Sequence, residues 1–271
     1  MMNDSSSSRI VCPNCNIAFE TKFCPECGQK RIDKHEFAVS HFFGHIVHEF
    51  THLDSNKIAR TFIDLITKPG RLTADYLAGK KGKYINPIRV YLTVSAVYFL
   101  FAWGALATAG GGGAQDNSTR PFVVEMAKRK NVEPAALAEK IQDKAGKYAG
   151  TLRFASVLVS GLFLMLLFRS AGRYYVEHLV FSLHFYSFDF LAKSVLALLY
   201  LTESFTGHTT FVVGRVIYYL AAFVYLLFAL RLVYGMSKLQ TSVRAVAQFV
   251  FEFVLFIVVN ALGFLLATLF A

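Results

Sequence analysis

The sequence predicts an all-α polytopic membrane protein of about five transmembrane helices, with a small N-terminal cysteine-clamped ribbon and juxtamembrane amphipathic helices. Three observations carry that prediction. Of 271 residues, 55% are hydrophobic, 15% aromatic and only 17% charged, and the mean hydropathy is +0.44, too apolar for a soluble domain. Five apolar runs approach the length that crosses a bilayer as a helix. All four cysteines fall within residues 12–27.

The head, residues 1–34, is built on Cys12-Pro13-Asn14-Cys15 and Cys24-Pro25-Glu26-Cys27, with eight residues between the pairs. Two C-x-x-C knuckles present four thiolates tetrahedrally, and Gly28 permits the tight turn after the last one. The expected cofactor is one structural Zn²⁺ per chain. Four protein ligands leave no open position for catalysis, so the ion folds a head too small to have a core and leaves its surface for a protein partner. Free thiolates of this kind suit a reducing cytoplasm.

Residues 35–87 read as amphipathic juxtamembrane helices and a basic anchor. Over 36–53, Val39, Phe42, Phe43, Ile46, Phe50 and Leu53 fall on one face, and His41, His45, His48 and His52 on the other. A short helix is expected over about Asn56–Thr67, ending at Pro69-Gly70, and a further turn near Thr73–Leu77. Lys80, Lys81, Lys83 and Arg89, beside Tyr84, Pro87 and Tyr91, read as a lipid-headgroup anchor.

Residues 88–271 form the transmembrane domain. The expected spans are Val90–Ala109, Leu152–Phe168, Leu179–Leu201, Phe211–Leu230 and Val246–Phe270, with Arg153 and Arg169 snorkelling from the ends of the second. A soluble loop at 110–151 carries helix-like stretches at Phe122–Lys130 and Pro134–Tyr148. The opening segment Met1–Arg9 lacks an apolar core, so no cleavable signal peptide is expected. Lys and Arg of the short loops gather on the head's side, which places the N-terminus in the cytoplasm.

The net charge of +10 is read as topology and anionic-lipid contact. No recognition-helix or base-stacking motif points to nucleic acid. Inside the spans, Asp189 and Lys193 stand one helical turn apart and are expected to pair, with His184, Glu252 and Asn260 as further intramembrane polar groups. Such residues are costly in lipid and mark either a packing bridge or a proton or solute path. His48-Glu49-Phe50-Thr51-His52 matches H-E-x-x-H, in which His48 and His52 would share a second metal and Glu49 would activate water. The match sits in a stretch already rich in histidine, with no clear third ligand downstream.

The chain resembles a bacterial family of uncharacterised polytopic membrane proteins, a domain of unknown function headed by a zinc ribbon. The residues that carry the resemblance are Cys12–Cys27 with Gly28-Gln29-Lys30, the stretch His48–Asp54, Lys68-Pro69-Gly70, Tyr76–Lys80 through Pro87–Tyr91, His178–His184 and Arg231–Gly235. The resemblance implies a membrane location and this domain order, and no activity. The leading functional expectation is a non-enzymatic membrane protein, either a docking or assembly factor or a transporter-like body using Asp189, Lys193 and His184. The competing one is a membrane zinc metallopeptidase built on His48, Glu49 and His52. Five spans serve equally as a self-contained bundle or as half of an oligomer.

Overall fold

A computed structural model describes residues 9–29, 31, 55–108, 119–202 and 208–270. The histidine face, with His48, Glu49 and His52, lies outside the described residues. The elements are strands β1 (Ile10–Val11) and β2 (Ala18–Phe19), then helices α1 (Ser55–Thr67), α2 (Arg71–Leu77), α3 (Pro87–Thr108), α4 (Pro121–Lys130), α5 (Pro134–Leu167), α6 (Tyr175–Leu201), α7 (His208–Tyr234) and α8 (Lys238–Phe270). The strands pair antiparallel with Ile10 opposite Phe19. Helices α3, α5, α6, α7 and α8 are long and apolar enough to cross a membrane.

Proline opens α3, α4 and α5, where its missing N–H costs nothing and its fixed φ suits the first turn. Helix α6 is capped by Glu177, whose carboxylate accepts the Tyr174 N–H at 2.8 Å. Its most apolar segment is 67% buried within the protein, against 17% for α8, so α6 is the central post and α8 lies mostly on the outside of the bundle. Phe190 of α6 stacks on Tyr98 (4.9 Å) and Tyr91 (5.8 Å) of α3, joining these helices through aromatic faces. Helices α5 and α8 cross closely at small residues: a Cβ on Gly263 would sit 2.9 Å from the Cβ and the amide nitrogen of Ala149.

The sequence predicts a soluble helix at Pro134–Tyr148 and a separate span at Leu152–Phe168. The structure makes them one helix, α5, of 34 residues. Lys140, Asp143, Lys144 and Lys147 break the apolar run, but nothing there interrupts the helix. Arg153 therefore lies well inside a continuous helix.

The turn between α1 and α2 is fixed against α7. Gly70 has φ +78°, and a Cβ there would approach the Ala229 Cα and carbonyl oxygen to 2.8 Å. Both the left-handed backbone and the contact with main chain exclude a side chain. Gly70→Ala is expected to lower stability by about 2–4 kcal/mol. Thermal unfolding in detergent checks this, and an unchanged midpoint would contradict the packing.

Candidate functional site

The head repeats one structure twice. The residue after each second cysteine, Asn16 or Gly28, has positive φ (62° and 67°), and its N–H donates 2.9 Å to the carbonyl of Cys12 or Cys24. The N–H of Cys12 reaches the Ile17 carbonyl and that of Cys24 the Gln29 carbonyl, each at 2.8 Å. These two matched turns aim the four thiols at one point. All four Sγ atoms lie within 4.8 Å of one another, and Cys12···Cys27 and Cys15···Cys24 are each 3.5 Å apart. A disulfide needs about 2.05 Å, whereas four sulfurs about 2.3 Å from a shared ion stand about 3.8 Å apart.

As thiolates, the four would need a cation between them. A hydrogen bond from Asn14 draws Cys27 down to about 6. Cys15, despite a backbone hydrogen bond near Ile17 that favours its thiolate, is pushed up to about 12 by desolvation and its neighbouring thiols. Four thiolates this close coexist only around a positive ion. Cys12, Cys24 and Phe19 form almost the whole buried interior of the head, so the cysteine cluster is its core.

The head is tied to the basic loop. Gln29, 3% exposed, accepts the Gly82 N–H at 2.6 Å through its side-chain oxygen. Gly82 lies in a short 3₁₀ turn, Lys81–Lys83, and the flanking lysines turn inward. Asp75 receives Lys80 at 3.4 Å, Lys83 at 3.3 Å and Arg71 at 3.2 Å. Asp64 receives Lys68 at 2.7 Å, and the Tyr84 hydroxyl stands between the two carboxylates, 2.8 Å from Asp64 and 3.0 Å from Asp75. Lys81 lies over the Tyr76 ring at 5.4 Å. The residues read as a headgroup anchor thus also form an internal knot holding α1, α2 and the start of α3 together.

Burial alone would raise both carboxyls. For Asp64 the hydrogen bonds from Lys68 and Tyr84 outweigh it, and for Asp75 those from Tyr84 and Lys83, so both sit below the usual aspartate range. A depressed carboxyl contributes stability that is present above its unfolded pKa and lost as pH falls through the folded one. The knot is expected to hold at neutral pH and to loosen only in acid, below about pH 4. Limited proteolysis of residues 55–86 across pH 6 to 3 reads it out, and loosening already at pH 6 would contradict the ion-pair account.

In the membrane body, four helices bring polar groups together around a cavity of about 90 Å³ lined in part by Arg153, Tyr186, Asp189, Lys193, Tyr218 and Glu252. The predicted Asp189–Lys193 pair is present at 2.5 Å, and the Tyr218 hydroxyl donates to the other Asp189 oxygen at 2.5 Å. Glu252 accepts Ser160 at 2.6 Å, Gln248 at 2.7 Å and Tyr186 at 2.7 Å. Arg153 donates to the Tyr98 hydroxyl at 3.0 Å and to Asn260 Oδ1 at 3.2 Å, with its guanidinium 5.0 Å from the centre of the Phe256 ring.

The groups occupy two levels. Arg153 bonds Asn260, eight residues from Glu252 on α8, and Glu252 bonds Ser160, seven residues from Arg153 on α5, so Arg153 and Glu252 stand about two helical turns apart along the bundle. His184 stands apart from them. Its Nδ1 is 2.9 Å from the Thr73 hydroxyl, so it pins α2 to α6 and does not line the cavity. Arg153, Tyr186, Tyr218, Ser160 and Gln248 were absent from the sequence-predicted site. Arg153, Ser156 and Ser160 follow i, i+3, i+7, and Gln248 and Glu252 follow i, i+4. These polar stripes on apolar helices were the available signal.

Comparison with known proteins reaches only part of this arrangement. No curated protein and no solved structure matches the chain. A family model described as a protein of unknown function (DUF3667) matches residues 55–99, the segment that holds the Asp64–Tyr84–Asp75 knot and the first half of α3, so in that segment the chain is similar to a family of unknown function.

Proposed function

We propose that the chain is a multi-pass protein of a bacterial inner membrane, with its zinc-clamped head in the cytoplasm and a transporter-like body that holds a polar solute between its helices. The observation that carries this reading is the convergence of Asp189, Lys193, Tyr218, Arg153 and Glu252 on one cavity. Charged groups inside a membrane bundle are expensive, and a cavity that gathers them offers polar contacts to a solute that lipid cannot offer. The ribbon is a structural zinc module and a surface for a protein partner. Its link through Gln29 to Gly82 sets it on the basic loop beside anionic headgroups.

The experiment compares cells expressing the wild type with cells expressing Ala222→Trp. Ala222 lines the cavity and is 2% exposed, so the indole fills the space. At matched abundance in the membrane fraction, mass spectrometry of small polar solutes is expected to find at least one whose cellular level depends on the wild type and not on the filled variant. Identical profiles, also with the smaller Ala222→Phe, would overturn the reading.

A further inference from the structure

The charges around the cavity divide into a satisfied pair and two that lack a counter-ion. Asp189 and Lys193 neutralise each other, and Tyr218 completes Asp189. Arg153 and Glu252 make no ion pair among the described residues. Arg153 is held only by neutral acceptors, Tyr98 and Asn260, and its Nε is buried with no hydrogen-bond partner. Glu252 is held only by neutral donors, Ser160, Gln248 and Tyr186. These fill three of its roughly four acceptor positions. The only other buried side-chain atom without a partner among the described residues is Gln248 Oε1, on the residue that bonds Glu252.

The helices set the spacing of the two charges. Antiparallel α5 and α8 meet at Arg153 with Asn260 and again at Ser160 with Glu252, so the two levels are about two helical turns apart, roughly 11 Å along the axis. Both side chains reach into the same cavity between these levels, which has room for several waters or a solute of a few heavy atoms. A guanidinium and a carboxyl group thus face one space from opposite ends. Each is desolvated and each has hydrogen-bonding capacity left.

We propose that this cavity binds a small zwitterion, with its anionic group on the Arg153 guanidinium and its ammonium on the Glu252 carboxylate. The inference rests on the solute-holding reading above and names the class of solute. A singly charged molecule would leave one buried charge without a partner, and a neutral one would leave both. Phe249, Phe253 and Phe256 enclose the linker, and an ammonium close to their faces gains further attraction. The same chemistry, an ammonium and an anionic group on a short linker, occurs in free amino acids and in an ethanolamine phospholipid headgroup.

The test uses the full metal-loaded chain in nanodiscs of phosphatidylglycerol, which contributes no zwitterionic lipid. Calorimetric titration compares glycine and β-alanine, glycerophosphoethanolamine as the headgroup, and acetate and methylammonium as the single-charge halves. At least one zwitterion is expected to bind, with each half weaker by about tenfold or more. Arg153→Gln and Glu252→Gln are each expected to weaken binding by a similar factor, while lipid-facing Val224→Ala does not. Size-exclusion profiles establish that the variants are folded, and Arg153→Lys, which keeps the charge but lacks Nε–H, should bind weakly. Binding by glycine or β-alanine assigns a free solute, and binding by glycerophosphoethanolamine alone assigns a lipid headgroup. Halves that bind as well as the zwitterions, binding indifferent to both substitutions, or no binding by any probe would overturn the proposal. The solute-holding reading would still stand if the cellular comparison found a neutral or singly charged solute that Ala222→Trp abolishes, and would fall if it found none.

Discussion

Cys24→Ser is expected to reduce the metal content of the purified protein from one ion per chain to none and to leave the head unfolded, while the membrane body still inserts. The head buries little besides Cys12, Cys24 and Phe19, and a structural zinc in so small a unit contributes on the order of 10 kcal/mol to folding. Elemental analysis gives the stoichiometry, and proteolysis at Lys22 and Arg31 reports the loss of structure. A head that keeps its ion and its protease resistance without Cys24 would contradict a four-thiolate centre. The same assay on His48→Ala/His52→Ala addresses the metallopeptidase alternative. One zinc in both proteins confines metal to the cysteines, and two falling to one would establish a histidine site.

Asp189→Leu is expected to destabilise the body by about 3–5 kcal/mol, because it leaves a lysine ammonium inside the membrane without its carboxylate. The side chains of the pair are 11% and 24% exposed, and their partners lie within one helix and on α7. Removing both charges with Asp189→Leu/Lys193→Met should recover most of that loss, since two apolar side chains need no compensation there. Thermal unfolding of the three proteins in one detergent measures the coupling. A double variant no more stable than the single one would mean that the pair is not the unit described here.

The sequence disclosed this pair because Asp and Lys four residues apart on an apolar helix have few other places to go. The cysteine head was legible for a similar reason: its chemistry is local, and Asn16 and Gly28 follow their knuckles at equivalent positions. What was hidden depends on which helices meet. Helix α6 is surrounded by protein, so its polar residues serve different neighbours. His184 and Asp189 are five residues apart, about 140° around the helix; one meets Thr73 and the other the cavity. Arg153 opens the expected span Leu152–Phe168 but lies well inside a continuous helix, and its partners Tyr98 and Asn260 belong to other helices, so nothing local announces them. The link from Gln29 to Gly82 spans 53 residues of sequence and leaves no periodic trace.

The central claim is a polar cavity inside the membrane body, and a thiol-reactivity measurement tests it most directly. Ala222 lines the cavity and is 2% exposed, whereas Val224, two residues along the same helix and so at nearly the same depth, is 49% exposed on the outer surface. Ala222→Cys and Val224→Cys are each treated in the membrane with a small, water-soluble, charged thiol reagent, and the labelled peptide is identified by mass so that the head cysteines do not interfere. The account predicts modification of Ala222→Cys, blocked when Tyr219→Trp narrows the cavity, and little or none of Val224→Cys in lipid. An Ala222→Cys as inert as Val224→Cys, or labelling of Val224→Cys alone, would mean that the space between these helices is closed to polar solutes.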